Sequence, residues 1–152
     1  MPLNRDFIGR SHRSELPFEV TRGDIRRFAV AIGDHSPAYL DPKAAAALGY
    51  PDVIAPPTFL ITLGTSAGAG FLADPELGLQ FEMVVHGEQR FDLHRPVRAG
   101  DVLHSTTSIS DIRDAGRNEL LTLVTDVTSA GLPVATVTNT IVSRGTATQK
   151  ES

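Results

Sequence analysis

The sequence contains no cysteine, which excludes disulfides, thiolate nucleophiles and cysteine-based zinc sites. It also lacks an excess of positive charge: the formal net charge is -4, whereas a nucleic-acid-binding domain needs a basic field. Its arginines stand among acids, as Arg22, Arg26 and Arg27 do around Asp24, so they read as a solvated helix face. No apolar run reaches the roughly 18 residues that a membrane span requires. Met1 to Arg13 carries no apolar stretch of signal-peptide type, and a cytoplasmic protein is expected, with neither a nucleic-acid nor a membrane partner. None of the five histidines forms an i, i+4 helical pair of metal-ligating type, and no metal is expected. Internal repeats, low-complexity tracts and a second domain are missing too. The 152 residues fit one domain with a core of useful size.

Residues 1–16 are polar and read as a lead-in. Phe18 and Val20 suggest a short strand. Thr21-Arg22-Gly23-Asp24 resembles a capping box, predicting a helix whose Ile25, Phe28, Ala29 and Ile32 share one face. Gly33 ends it, and the loop Asp34-His35-Ser36-Pro37 follows. Asp41-Pro42 reads as an N-cap with proline at the first helical position, starting a short alanine-rich helix that stops at Gly49. From Thr58 the run Phe59-Leu60-Ile61-Thr62-Leu63-Gly64 is apolar around nearly its whole circumference and predicts a buried helix. Gly64 and Gly68 on it either allow a neighbouring backbone close or mark a fraying end. The second half turns β-rich over about 79–95, 101–112, 118–129 and 133–144, with turn signals at Arg98–Asp101, Asp114–Gly116 and Ala130-Gly131. Leu121, Leu123 and Val127 alternate as a one-sided antiparallel sheet requires, and the short connections favour a meander. The class is α+β, a curved antiparallel sheet wrapped around a long central helix. Residues 146–152 are expected to form a disordered tail.

The segment Phe28-Ala29-Val30-Ala31-Ile32-Gly33-Asp34-His35-Ser36-Pro37-Ala38-Tyr39 resembles the hydratase-2 motif of MaoC-like proteins, matching it at Gly33, Asp34 and Pro37. Phe91 to Asp101 resembles that family's strand ending in Arg-Pro and then Gly-Asp. Ala55-Pro56-Pro57-Thr58-Phe59-Leu60 falls where its central helix begins. The likeness implies the hot-dog fold and an (R)-hydroxyacyl dehydratase or hydratase. Gly49-Tyr50-Pro51 followed by Ala55 to Leu60 is most similar to the non-catalytic subunits of actinobacterial (3R)-hydroxyacyl-ACP dehydratases, in which a catalytic subunit pairs with one that shapes the acyl-chain site.

Eliminating water from a 3-hydroxyacyl thioester needs a base for the α-proton, an acid for the leaving hydroxyl and a donor to the enolate oxygen. The resemblance assigns the acid to Asp34. It puts Tyr39 where the motif has histidine, and tyrosine, with an ordinary pKa of about 10, is a poor base. Pro57 stands where the family's oxyanion glycine aligns, and proline has no N–H to give. Tyr39, Pro57, Thr58 and His86 are therefore expected to bind substrate rather than react with it. His94 and His104 read as surface or strand-pairing residues. Three functions stay open: a chain-binding subunit silent without a catalytic partner, a homomeric hydratase using Asp34 with His35 or His86, and a non-enzymatic acyl-thioester-binding module. Each takes a CoA or acyl-carrier-protein thioester, needs no cofactor, and pairs with a second hot-dog subunit, because a lone sheet edge is a liability. Arg90, Arg95 and Arg98 are candidates for receiving an acidic carrier protein if they cluster in space.

Overall fold

A computed structural model describes residues 1–63 and 69–147 of the chain. Gly64 and Gly68, and residues 148–152 of the expected tail, lie outside the described residues. Thr146, placed in that tail by the sequence, is buried and its hydroxyl donates to the Ser143 carbonyl, so the ordered chain runs further than expected.

The sheet has six strands: β1 (Ser11–Arg13), β2 (Phe18–Glu19), β3 (Val84–Leu93), β4 (Val102–Ala115), β5 (Asn118–Ser129) and β6 (Leu132–Ser143). The order is β1-β4-β5-β6-β3, with β2 also pairing β4, and every pairing is antiparallel. The expected meander holds from β4 to β6. It fails for β3, which pairs with β6 at the far edge rather than with its successor β4. The link responsible is pinned by an ion pair: Arg95 donates to both Asp101 carboxylate oxygens, at 2.9 and 2.7 Å. Asp101 also accepts from the Arg98 N–H and the Ser129 hydroxyl, so one buried carboxylate ties the crossover to the end of β5.

The helical parts cover one face of the sheet. α1 (Arg22–Ala31) opens on the predicted capping box, with Thr21 and Asp24 satisfying each other's backbone N–H groups. α2 (Pro37–Leu40) and α3 (Pro42–Ala47) follow, α3 capped by Asp41 as expected. Phe59, Leu60 and Leu63 pack with Ile25, Leu103, Val127, Val134 and Val137 into one apolar cluster. A second cluster joins Leu3, Phe7, Phe71, Leu77, Ile109, Ile112, Leu121 and Ile141. The polar lead-in is thus part of the fold. Leu3 and Phe7 are buried in that second cluster, the Leu3 N–H donates to the buried Glu119 carboxylate at 2.8 Å, and Ser11–Arg13 pair with β4.

β3 starts later than the sequence suggests, after short 3-10 turns at Pro75–Leu77 and Phe81–Met83. Its pairing with β6 shifts register between His86 and Glu88. The bulge leaves an extra residue, which turns His86 and Gln89 onto the same face although they are three apart in sequence. Gly87 makes the bulge possible: a Cβ there would stand 3.0 Å from Val142 Cγ2 and 3.1 Å from the Thr140 carbonyl oxygen. The carbonyl belongs to the β6 ladder and cannot easily give way. Gly87→Ala should therefore cost about 1–3 kcal/mol, the usual range for overpacking, read as a lower midpoint in urea unfolding.

Candidate functional site

The residues singled out in the sequence fall into two groups. The first surrounds the end of α1. The Asp34 N–H donates to the Ala29 carbonyl, closing the turn after Gly33, and Asp34 Oδ1 accepts from the Ser36 N–H at 3.2 Å. The second carboxylate oxygen has no hydrogen bond among the described residues, and Asp34 is exposed. His35 next to it is also exposed, and no hydrogen bond joins it to Asp34 among the described residues. Tyr39 rises from α2 to the edge of the first apolar cluster. Its phenol pKa is pushed up, first by burial, then by the Asp34 charge and by Tyr50. The phenol therefore stays protonated, a group that can donate a hydrogen bond and does not take a proton.

Pro57 and Thr58 sit at the start of the turn leading into the helical residues 61–63, and both are exposed. The Phe59 N–H is taken by the Pro56 carbonyl. Pro57 has no N–H, and the Thr58 N–H has no acceptor among the described residues.

The second group lies on the inner face of the sheet. A cavity of about 200 Å³ is lined by Ile61 and Leu72 from the helical side and by residues of β3, β4, β5 and β6. Its apolar walls include Val84, Leu123, Val137 and Ile141. His86 and Gln89 stand at the β3 edge with their side chains 2.9 Å apart, Nε2 to Oε1. His86 is exposed, so the cavity opens at the free edge of the sheet. Further in are Asn139 and the buried hydroxyls of Thr107 and Thr125, 2.8 Å apart. The cavity lining includes none of Asp34, Tyr39, Pro57 and Thr58. Sequence reasoning named His86 but missed Gln89, Asn139 and the two threonines.

Two of the three arginines considered for a carrier protein are held in ion pairs. Arg90 lies on the outer face of β3 in an ion pair with Asp92, and Arg95 is held by Asp101. His94 is exposed, its N–H donating to the Val134 carbonyl, and His104 lies within β4 opposite Thr128. Among the described residues no group of three metal-ligating side chains converges, and no helix is long and apolar enough to cross a membrane.

Comparison with known proteins gives this arrangement its relatives. Residues 6–137 match the family described as FAS1-like, dehydratase domain region. A UPF0336 protein of Saccharopolyspora erythraea is 47% identical over 152 residues, covering 99% of this chain and 97% of that protein. Among solved structures, a MaoC-like dehydratase superposes with a TM-score of 0.85 at 31% identity, over 91% of this chain and 42% of the other, so this chain spans less than half of that protein. The C-terminally truncated HadBC (3R-hydroxyacyl-ACP dehydratase) complex of Mycobacterium tuberculosis superposes with a TM-score of 0.84 at 30% identity, over 92% of this chain and 99% of that one. The hot-dog fold expected from the sequence is thereby established, and this chain belongs to the FAS1-like dehydratase-region family of hot-dog proteins.

Proposed function

We propose that this chain is the acyl-chain-binding subunit of a (3R)-hydroxyacyl thioester dehydratase or enoyl hydratase, silent alone and active beside a second hot-dog subunit. The observation that carries the reading is the state of Tyr39. It occupies the place of the motif histidine, and burial and the Asp34 charge both favour its neutral form, so the base is missing. Pro57 removes an N–H where the family has its oxyanion donor. Among the described residues Asp34 keeps a carboxylate oxygen without a hydrogen bond, and no histidine is bonded to it.

On this reading the second subunit brings its own aspartate, histidine and oxyanion N–H. It removes the α-proton, protonates the leaving hydroxyl, and releases water and the 2-enoyl thioester. This chain takes the acyl tail into the cavity that opens at the β3 edge. Pairing with a second hot-dog subunit along that edge covers its free backbone groups. The structural relatives include a dehydratase described as a complex, HadBC, in keeping with a paired arrangement. A homomeric hydratase would need His35 or His86 to meet Asp34. Among the described residues no hydrogen bond joins either to it, and His86 is bonded to Gln89 instead.

The test is hydration of trans-2-decenoyl-CoA, followed by loss of the enone absorbance. The purified chain should give no turnover above background. Adding a hot-dog subunit that has both motif aspartate and histidine should give turnover. Hydration by the chain alone, lost in Asp34→Ala, would overturn the reading.

A further inference from the structure

The cavity lining has a pattern that a plain hydrocarbon chain does not explain. The inner-face positions of β5 run Leu121, Leu123, Thr125, Val127, and all four residues are buried. Thr125 interrupts this apolar row at the cavity, where the other strands also contribute polar residues: Thr107 on β4, Asn139 on β6 and Gln89 on β3. The strand registers align them. Thr107 is opposite Thr125, Asn139 is opposite Gln89, and Asn139 and Thr125 lie one register step apart through the Leu123–Asn139 and Thr125–Val137 pairs. Together they form a polar belt across the sheet, between the two apolar clusters.

This belt is incompletely satisfied. Asn139 Oδ1 is sealed from solvent, and neither it nor the Asn139 NH2 has a hydrogen-bond partner among the described residues. The Thr107–Thr125 bond uses one hydroxyl proton, leaving the other available, since each hydroxyl carries one. The Gln89 carbonyl oxygen meets His86, while its amide NH2 has no partner among the described residues. Buried polar groups in folded proteins are nearly always paired. Ser105, Glu119 and Ser143 also carry a buried oxygen without a hydrogen-bond partner, away from the cavity. Asn139, Gln89 and the two threonines line one cavity of about 200 Å³, large enough for on the order of six or seven chain atoms if each takes about the 30 Å³ of a liquid water.

We infer that this cavity is shaped for an acyl chain carrying a hydroxyl or keto oxygen along its buried part, and that Asn139 is the residue that selects for it. A wholly saturated tail would leave the Asn139 amide unpaired beside hydrocarbon. An oxygen at that depth accepts from the Asn139 or Gln89 NH2. The inference rests on the reading of this chain as the acyl-binding subunit, and adds the chemistry of the tail.

The experiment is calorimetric titration of the full-length chain with decanoyl-CoA, 3-hydroxydecanoyl-CoA, and decanoyl-CoAs bearing one hydroxyl or keto group at positions from C5 to C10. At least one of the distally oxygenated ligands should bind about tenfold more tightly than decanoyl-CoA, the scale of one net hydrogen bond. Asn139→Leu should abolish that preference while retaining decanoyl-CoA binding, and Gln89→Met, at the more exposed edge, should reduce it. Decanoyl-CoA binding as tightly as every distally oxygenated ligand would overturn the inference and leave the acyl-binding reading intact, with ordered water as the belt's occupant. A preference confined to the 3-hydroxyl would overturn it as well. No binding of any acyl-CoA would overturn both.

Discussion

Asp101→Ala is expected to destabilise the chain by about 3–5 kcal/mol, the range for removing one partner of a buried ion pair. Asp101 is only 5% exposed and holds four groups at once: both Arg95 nitrogens, the Arg98 N–H and the Ser129 hydroxyl. Alanine would leave a half-buried guanidinium and a buried hydroxyl without their partner, at the crossover that carries the chain from β3 to β4. Chemical denaturation should report the loss as a lower midpoint. The same residue sets a pH dependence. Burial alone would push the Asp101 carboxyl up, but hydrogen bonds from Arg95, Arg98 and Ser129 and the Arg95 charge outweigh it and hold the carboxyl below its ordinary value. In acid the unfolded chain then takes up a proton that the folded chain refuses. The contribution is complete above the unfolded carboxyl pKa of about 3.9 and is lost as the pH falls through the lower folded value. The alanine variant should lack this part of the acid slope while being less stable at neutral pH.

Restoring the two missing groups should create activity in the chain by itself. Tyr39→His supplies a base near neutrality beside the free Asp34 oxygen, and Pro57→Gly returns an N–H at the start of the central turn. One oxyanion donor is worth on the order of 100–1000-fold in rate. Tyr39→His with Pro57→Gly should hydrate trans-2-decenoyl-CoA at least about 100-fold faster than the parent chain, with activity rising as the histidine deprotonates near pH 6.5. Tyr39→His alone should gain less. If the double variant folds and binds decenoyl-CoA yet stays at background, the assignment of Tyr39 and Pro57 to the vacated catalytic positions is wrong.

Local chemistry made much of the fold legible. The Thr21 capping box, the Asp41-Pro42 helix start and the β4–β6 alternation each act through residues a few positions apart, and the structure has all three. Leu3 and Phe7 escaped notice because two apolar residues in a polar stretch make no period. Their burial depends on Phe71, Leu77 and Ile109, far along the chain. The place of β3 was missed for the same reason, since a short link normally joins neighbouring strands and only the Arg95–Asp101 pair shows that this one crosses.

The sequence by itself determined the class, the family and the absence of a histidine at position 39, since all of these reside in residue identity and short spacing. Only the tertiary structure decided that His86 faces a cavity together with Gln89, through a bulge that a two-residue period does not anticipate. It alone gathered Thr107, Thr125, Asn139 and Gln89. Each is an unremarkable polar residue on its own strand, and strand register, fixed by burying one whole face, is what sets them side by side.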